Sequence, residues 1–319
     1  MEHPVIQLQN ITKKYGDFTA VNNLNLSIKK GEIFGLLGPN GAGKSTTILM
    51  LMGLTDPSSG SVKVCDLDST TQSIEVKKKV GYLPEDVGFY DELTAWDNLM
   101  YTAKLNRLDK ATAQQRALEL LERVGLSQVK DKKVAKFSKG MRQRLGLADV
   151  LIKQPEVIIL DEPTTGIDPK GVKELLSLIE RLRHEQDITI LFSSHNLHQV
   201  QEVCDRVCIF VEGRLLAEGK IEELSQQLFN EGSSLLELGI DNAEDLSVED
   251  LRKILNKVQD VEQISTHKGH FLLSCSADVS SAVAQAIFDA NYKLNFLVKK
   301  EYGLDAIYNR YFEGGLNHE

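Results

Sequence analysis

The sequence predicts an α/β core with a mixed sheet and a helical insertion, followed by a smaller α+β unit. Three observations carry that prediction. Apolar runs of buried-strand type alternate with stretches of helical periodicity. One such run ends in a glycine-rich loop of phosphate-binding form, and another ends in two adjacent carboxylates. Beyond a polar Gly/Ser stretch the pattern becomes strand, helix, strand, strand, helix, strand.

In the first part, short strand-like segments at 5–9 and 24–28 lead to Ile33-Phe34-Gly35-Leu36-Leu37, an apolar run that stops at glycines. A helical run follows over 46–53. From about 86 to 154 the periodicity is helical: Trp96, Leu99, Met100, Ala103 and Leu105 recur at three or four, as do Ala117, Leu118, Leu120, Leu121 and Val124. Strand-like runs return at 157–160, 188–192 and 207–211, with a helix at 170–183 between the first two, which is the rhythm of a parallel sheet. The expected first domain is 1–231, with a connecting helix at 221–228.

Asn230-Glu231-Gly232-Ser233-Ser234 reads as a hinge. After it come strand 235–240, helix 248–258, strands 261–266 and 271–275, helix 279–290 and strand 293–298. That order is ferredoxin-like, so an accessory domain at 232–319 is expected, closed by a terminal helix at 304–312. It holds 8 Lys or Arg against 14 Asp or Glu, so most of the chain's net negative charge is concentrated there.

Composition excludes several function classes. The 319 residues suffice for about two domains. With 42% hydrophobic and 26% charged residues, the chain is neither collagenous nor largely disordered. Lys and Arg number 37 against 46 Asp and Glu, a net charge of −9, the wrong sign for a nucleic-acid partner. Cys65, Cys204, Cys208 and Cys275 form no CxxC pair, and no apolar leader follows Met1, so reduced thiols in the cytoplasm are expected. No run reaches the roughly 18 apolar residues a spanning helix needs, so no direct membrane insertion is expected.

Two motifs carry chemistry. Gly38-Pro39-Asn40-Gly41-Ala42-Gly43-Lys44-Ser45, with Thr46 opening the helix, is a Walker A loop in its required strand-to-helix context. Its glycines let backbone N–H groups curl round phosphates, Lys44 neutralises the β and γ oxygens of ATP, and Ser45 is a ligand for Mg²⁺. Val157 to Leu160 followed by Asp161 and Glu162 has the Walker B form, with Asp161 for the metal shell and Glu162 to polarise the attacking water.

A third motif settles the class. Phe137-Ser138-Lys139-Gly140-Met141-Arg142-Gln143-Arg144 resembles the signature motif of ATP-binding-cassette (ABC) ATPases, and over about residues 4–225 the chain is similar to the ATPase subunit of an ABC transporter. The resemblance implies that Tyr15 stacks on adenine, that Glu85 stands at the Q-loop position near Mg²⁺, that Asp168 lies in the D-loop and that His195 is the switch histidine. It also implies that Ser138, Lys139, Gly140 and Met141 meet the nucleotide of a facing subunit. The sequence departs from the family at two points: Glu85 replaces the usual glutamine, and Lys139 replaces a glycine. Lys139 could approach the γ-phosphate or stand solvated.

Residues 81–90, 138–147 and 302–308 resemble the drug-resistance and sodium-export ATPases that pair with six-helix ABC-2 permeases, and the related ATPase of nitrous oxide reductase copper-site maturation. That likeness implies an ATP-hydrolysing subunit that powers a separate transmembrane permease, with a lean to export. It implies a second ATPase subunit as in a homodimer, and a peripheral position on the cytoplasmic face of the membrane through the permease. Residues 89–99, with Phe89, Leu93, Trp96 and Leu99, are either the groove for a permease helix or a core stripe of the insertion. The alternatives are a soluble ABC ATPase without a transport role and a regulatory module tuned by nucleotide.

Overall fold

In the computed structural model, residues 4–228, 234–241, 246–267, 269–300, 304 and 308 are described. The chain divides between Gly219 and Lys220 into two units. The sequence-based boundary at 231/232 falls later, within undescribed residues. The earlier division has a simple cause: strand β10 (Arg214–Gly219), which is too polar to read as a strand, completes the first unit's sheet at Gly219. Helix α8 (Ile221–Leu228), expected to finish the first domain, belongs to the second unit.

The first unit holds two sheets. One is antiparallel, built from β1 (Ile6–Tyr15), β2 (Phe18–Ile28), β4 (Ser59–Val64) and β5 (Leu67–Asp68) in the order β2-β1-β4-β5. Only the apolar ends of β1 and β2 were legible as strands. Their polar halves continue as a ribbon that pairs Tyr15 with Phe18. The second sheet has the order β10-β9-β3-β8-β7-β6 and combines β3 (Ile33–Leu37), β6 (Val80–Leu83), β7 (Val157–Asp161), β8 (Thr189–Ser194) and β9 (Arg206–Val211) with β10. Strands β9, β3, β8, β7 and β6 run parallel and β10 is antiparallel at the edge, so the sheet is mixed. All residues of β3, β7 and β8 are buried, which is why their apolar stretches are consecutive rather than alternating.

Helix α1 (Lys44–Leu51) follows β3 directly, and its Ile48, Met50 and Leu51 join Ile6, Leu8, Phe34 and Phe210 in one core. Helix α2 (Ser73–Lys79) precedes β6. Between β6 and β7, neighbours in the sheet, the chain leaves to build α3 (Ala95–Leu105), α4 (Lys110–Arg123) and α5 (Lys139–Leu151). This is the expected helical insertion. Each helix starts on a side-chain cap: Thr94 with Asp97 in a capping box, Asp109, and Ser138. Helices α6 (Pro169–Gln186) and α7 (Leu197–Val203) flank β8, and α7 is too short to show a helical period.

In the second unit, β11 (Ser234–Ile240), β12 (Val261–His267), β13 (His270–Cys275) and β14 (Leu294–Lys300) pair antiparallel in the order β12-β13-β11-β14. With α9 (Val248–Ile254) and α10 (Ser280–Asp289) this is the ferredoxin-like arrangement. Leu236, Leu238, Leu251, Phe271, Leu273, Val283 and Ile287 form its core. Helix α9 ends four residues earlier than expected, passing into a 3₁₀ turn at Leu255–Lys257. The expected terminal helix, the 302–308 tail and the hinge lie outside the described residues, apart from Ser234, Leu304 and Tyr308.

Candidate functional site

Parallel pairing brings the chemistry to one edge. Leu37 pairs with Ser194 and Asp161 with Ser193, so the carboxyl ends of β3, β8 and β7 stand at one level. The phosphate loop, the Asp161-Glu162 pair and His195 all leave from that edge, where open α/β sheets place their ligands.

The loop's shape depends on its glycines. Gly41 and Gly43 have φ of 83° and 103°, in the left-handed region. A Cβ at Gly38 would lie 2.1 Å from the Phe210 carbonyl oxygen, and one at Gly43 would lie 2.5 Å from that of Ala20. Neither position has room for a side chain. Lys44 is 6% exposed, and its ammonium donates to the carbonyl oxygens of Gly38 and Pro39 at 2.6 and 3.2 Å. Ser45 is exposed at the head of α1, followed by the half-buried Thr46.

Glu162 sits between two of the predicted partners. Its Oε1 is 3.3 Å from the Lys44 ammonium and its Oε2 is 2.9 Å from Nδ1 of His195. The carboxylate is buried, whereas the imidazole stays half exposed. Glu162 also has a φ of 48°, a conformation that costs a non-glycine residue energy and that clusters at functional sites. Its backbone N–H bonds the Ser193 carbonyl oxygen, which fixes the kink against β8. Asp161 is buried as well, and its Oδ1 is enclosed with no hydrogen-bond partner.

Other predicted residues lie on the surrounding surface. Tyr15 is 49% exposed at the end of the β1–β2 ribbon, with the Lys13 ammonium 4.9 Å from its ring centre. Ser138 is exposed and caps α5, accepting the Met141 N–H at 3.2 Å. Gly140 is half-buried, and an added Cβ would meet Ile167 Cγ2 at 3.5 Å, an ordinary packing contact. Asp168 caps α6 through the Gly171 N–H. The Glu85 side chain is exposed, while its carbonyl oxygen accepts from Lys139 and Gln143. In the 89–99 segment Leu99 is core, whereas Leu93 and Tyr90 are exposed, and Tyr90 packs edge-on against Tyr101.

Two contacts escaped sequence reasoning. Tyr82, on β6, directs its hydroxyl to Asp161 Oδ2 at 3.5 Å. Burial first and the Asp161 charge second push that phenol up to about 12, so it keeps its proton. Thr164 hydrogen-bonds Gln199 at 2.5 Å, joining the segment after Glu162 to α7. Neither pair has a local pattern that would reveal it, because both partners are far apart in the chain.

A family model for ABC transporters matches residues 21–165. The linearmycin resistance ATP-binding protein LnrL of Bacillus subtilis is 36% identical over 278 residues, covering 87% of this chain and 86% of that protein. The bacitracin transport ATP-binding protein BcrA of Bacillus licheniformis is 44% identical over 223 residues, covering 70% and 72%. Among solved structures, cbiO1 from Clostridium perfringens, part of an ABC transporter complex, matches with a TM-score of 0.66 at 28% identity, covering 81% of this chain and 96% of that one. A dimeric ATP-binding cassette in a post-hydrolysis state, bound to ADP and Pi, matches at 0.61 and 27%, covering 67% and 98%.

Proposed function

The chain belongs to the ABC transporter ATP-binding proteins, and on that premise we propose that it hydrolyses ATP in a head-to-tail pair of subunits and drives export through a separate permease. ATP binding and ATPase activity come with the family. The names of its relatives, a linearmycin resistance protein and a bacitracin transport protein, support the export direction. No described helix is long and apolar enough to cross a membrane, so the transport path would lie in the partner, with this chain peripheral on its cytoplasmic face.

The observation that carries the mechanism is the run of contacts Lys44–Glu162–His195. A triphosphate on the 38–46 loop would meet backbone N–H groups at the head of α1 and the Lys44 ammonium. Glu162, anchored by its backbone to β8, would orient the attacking water. His195, bonded to Glu162 through Nδ1, would turn its other nitrogen to the γ-phosphate. The buried, unpartnered Asp161 Oδ1 and the exposed Ser45 hydroxyl offer the hard oxygen ligands that suit Mg²⁺, with Glu85 the candidate for an outer contact. Bound there, the ion would neutralise charge on the phosphate oxygens. Ser138 is exposed at the head of α5, which supports its meeting a facing subunit's nucleotide, and the exposed ring of Tyr15 supports an adenine.

Glu162→Gln tests the reading. Removing the carboxylate charge while retaining the loop should leave ATP binding intact and slow turnover at least about a hundredfold, the lower end for losing a positioned general base. An ATP-bound pair of subunits should accumulate in size-exclusion chromatography. Parental hydrolysis by this variant would remove Glu162 from the chemistry.

A further inference from the structure

The first turn of α5 grips the chain that leaves β6. Lys139, Arg142 and Gln143 stand at i, i+3 and i+4 and so share one helix face. Lys139 Nζ donates to the Glu85 carbonyl oxygen at 3.0 Å and pairs with the Asp86 carboxylate. Gln143, fully buried, donates to the same carbonyl at 2.9 Å, and Arg142 pairs with Asp91. The gripped segment continues to Tyr90, whose backbone N–H and C=O are both bonded by the buried Asn98 side chain of α3. Chain 85–91 is thus clasped by α5 on one side and α3 on the other.

We propose that Lys139 is a positioning residue that latches the signature turn of α5 to residues 85–91 of its own chain, rather than a ligand of the γ-phosphate. The proposal rests on the reading that Ser138 meets the nucleotide of a facing subunit. An ammonium has three donors, and two are already directed at Glu85 and Asp86. Turning toward a phosphate would strip both acceptors of this partner. A lone exposed pair holds little energy. Here the pair shares its backbone acceptor with a buried glutamine, so its effect is on geometry: displacement of Ser138 by nucleotide carries 85–91 with it. The Q-loop position is then read through its carbonyl as well as its side chain.

The test is a double-mutant cycle in the full chain: Lys139→Met, which keeps the aliphatic stem, Asp86→Ala, which alters an exposed residue remote from the phosphate loop in sequence, and both together. ATPase rate is measured against ATP concentration, with urea unfolding as the control for folding. Both single variants should lower kcat by a similar factor, about threefold to tenfold, with KM for ATP within about twofold of the parent and the double variant no worse than either single one. The exchange Lys139→Asp with Asp86→Lys should recover at least about half the loss. A several-fold rise in KM for Lys139→Met with Asp86→Ala silent would make Lys139 a nucleotide ligand and overturn the proposal. Fully additive losses, or parental kinetics in all variants, would overturn it too. The ATP-dependent pairing of Glu162→Gln reports separately on the facing-subunit reading, so its failure is not confused with failure of the latch.

Discussion

Replacing Asp149 with asparagine should stabilise the chain at neutral pH and have little effect below about pH 4. Asp149 lies on α5, and its Oδ1 is enclosed without a hydrogen-bond partner. Burial pushes its carboxyl from the ordinary 3.8 up to about 6, against the opposing pull of a Thr102 hydrogen bond and the Lys153 charge. The folded chain therefore holds this proton more tightly than the unfolded chain. The carboxyl's contribution is most favourable below about pH 4 and is lost as pH rises through about 6. A rise of about two pH units, at about 1.4 kcal/mol each, amounts to about 3 kcal/mol of destabilisation at pH 7 and above. Asparagine removes the charge and keeps an acceptor for Thr102. It also leaves Lys153, whose own pKa burial lowers, without its nearby carboxylate, which offsets part of the gain. The net expectation is about 1–2 kcal/mol at pH 8. Urea unfolding followed through the single tryptophan, Trp96 on α3, reports on this subdomain directly. A variant no more stable than the parent at pH 8, or a gain of equal size at pH 4 and pH 8, would refute the reasoning.

Three further outcomes follow from other parts of the molecule. Gly38→Ala should weaken ATP binding at least about tenfold, because the added Cβ collides with the Phe210 backbone and forces the loop off β9; unchanged affinity by calorimetry would show that the loop adapts. Glu85→Gln should raise the Mg²⁺ concentration needed for half-maximal ATPase if the carboxylate contributes to the ion's surroundings, and superimposable titrations would remove it from the site. Ending the chain at Gly219 should leave a cassette that unfolds cooperatively and binds nucleotide, since the first unit's sheet closes there; loss of cooperative unfolding would show that the second unit is needed for its stability.

Strands β3, β7 and β8 were legible because they are buried on both faces, so apolar residues dominate them, with the buried polar residues gathered mainly at the carboxyl ends of β7 and β8. Strands β4, β5 and β10 were not. They lie at sheet edges or in an antiparallel sheet, and their residues carry polar side chains that pattern alone assigns to loops. The site followed the same division. Lys44, Asp161 and Glu162 sit in motifs whose spacing is dictated by one loop or one strand end. Tyr82, Thr164 and Gln199 make contacts that depend on strands and helices meeting across the fold.

By itself, then, the sequence determined the architecture class, the phosphate loop, the carboxylate pair and the family resemblance, because each is written in contiguous residues under a local steric or chemical constraint. Tertiary structure alone decided that Glu162 touches both Lys44 and His195, and where Lys139 points. The sequence left that ammonium two destinations, phosphate or solvent. Packing of α5 against the chain leaving β6 supplied a third, a carbonyl oxygen and a carboxylate more than fifty residues upstream, which no local pattern could reveal.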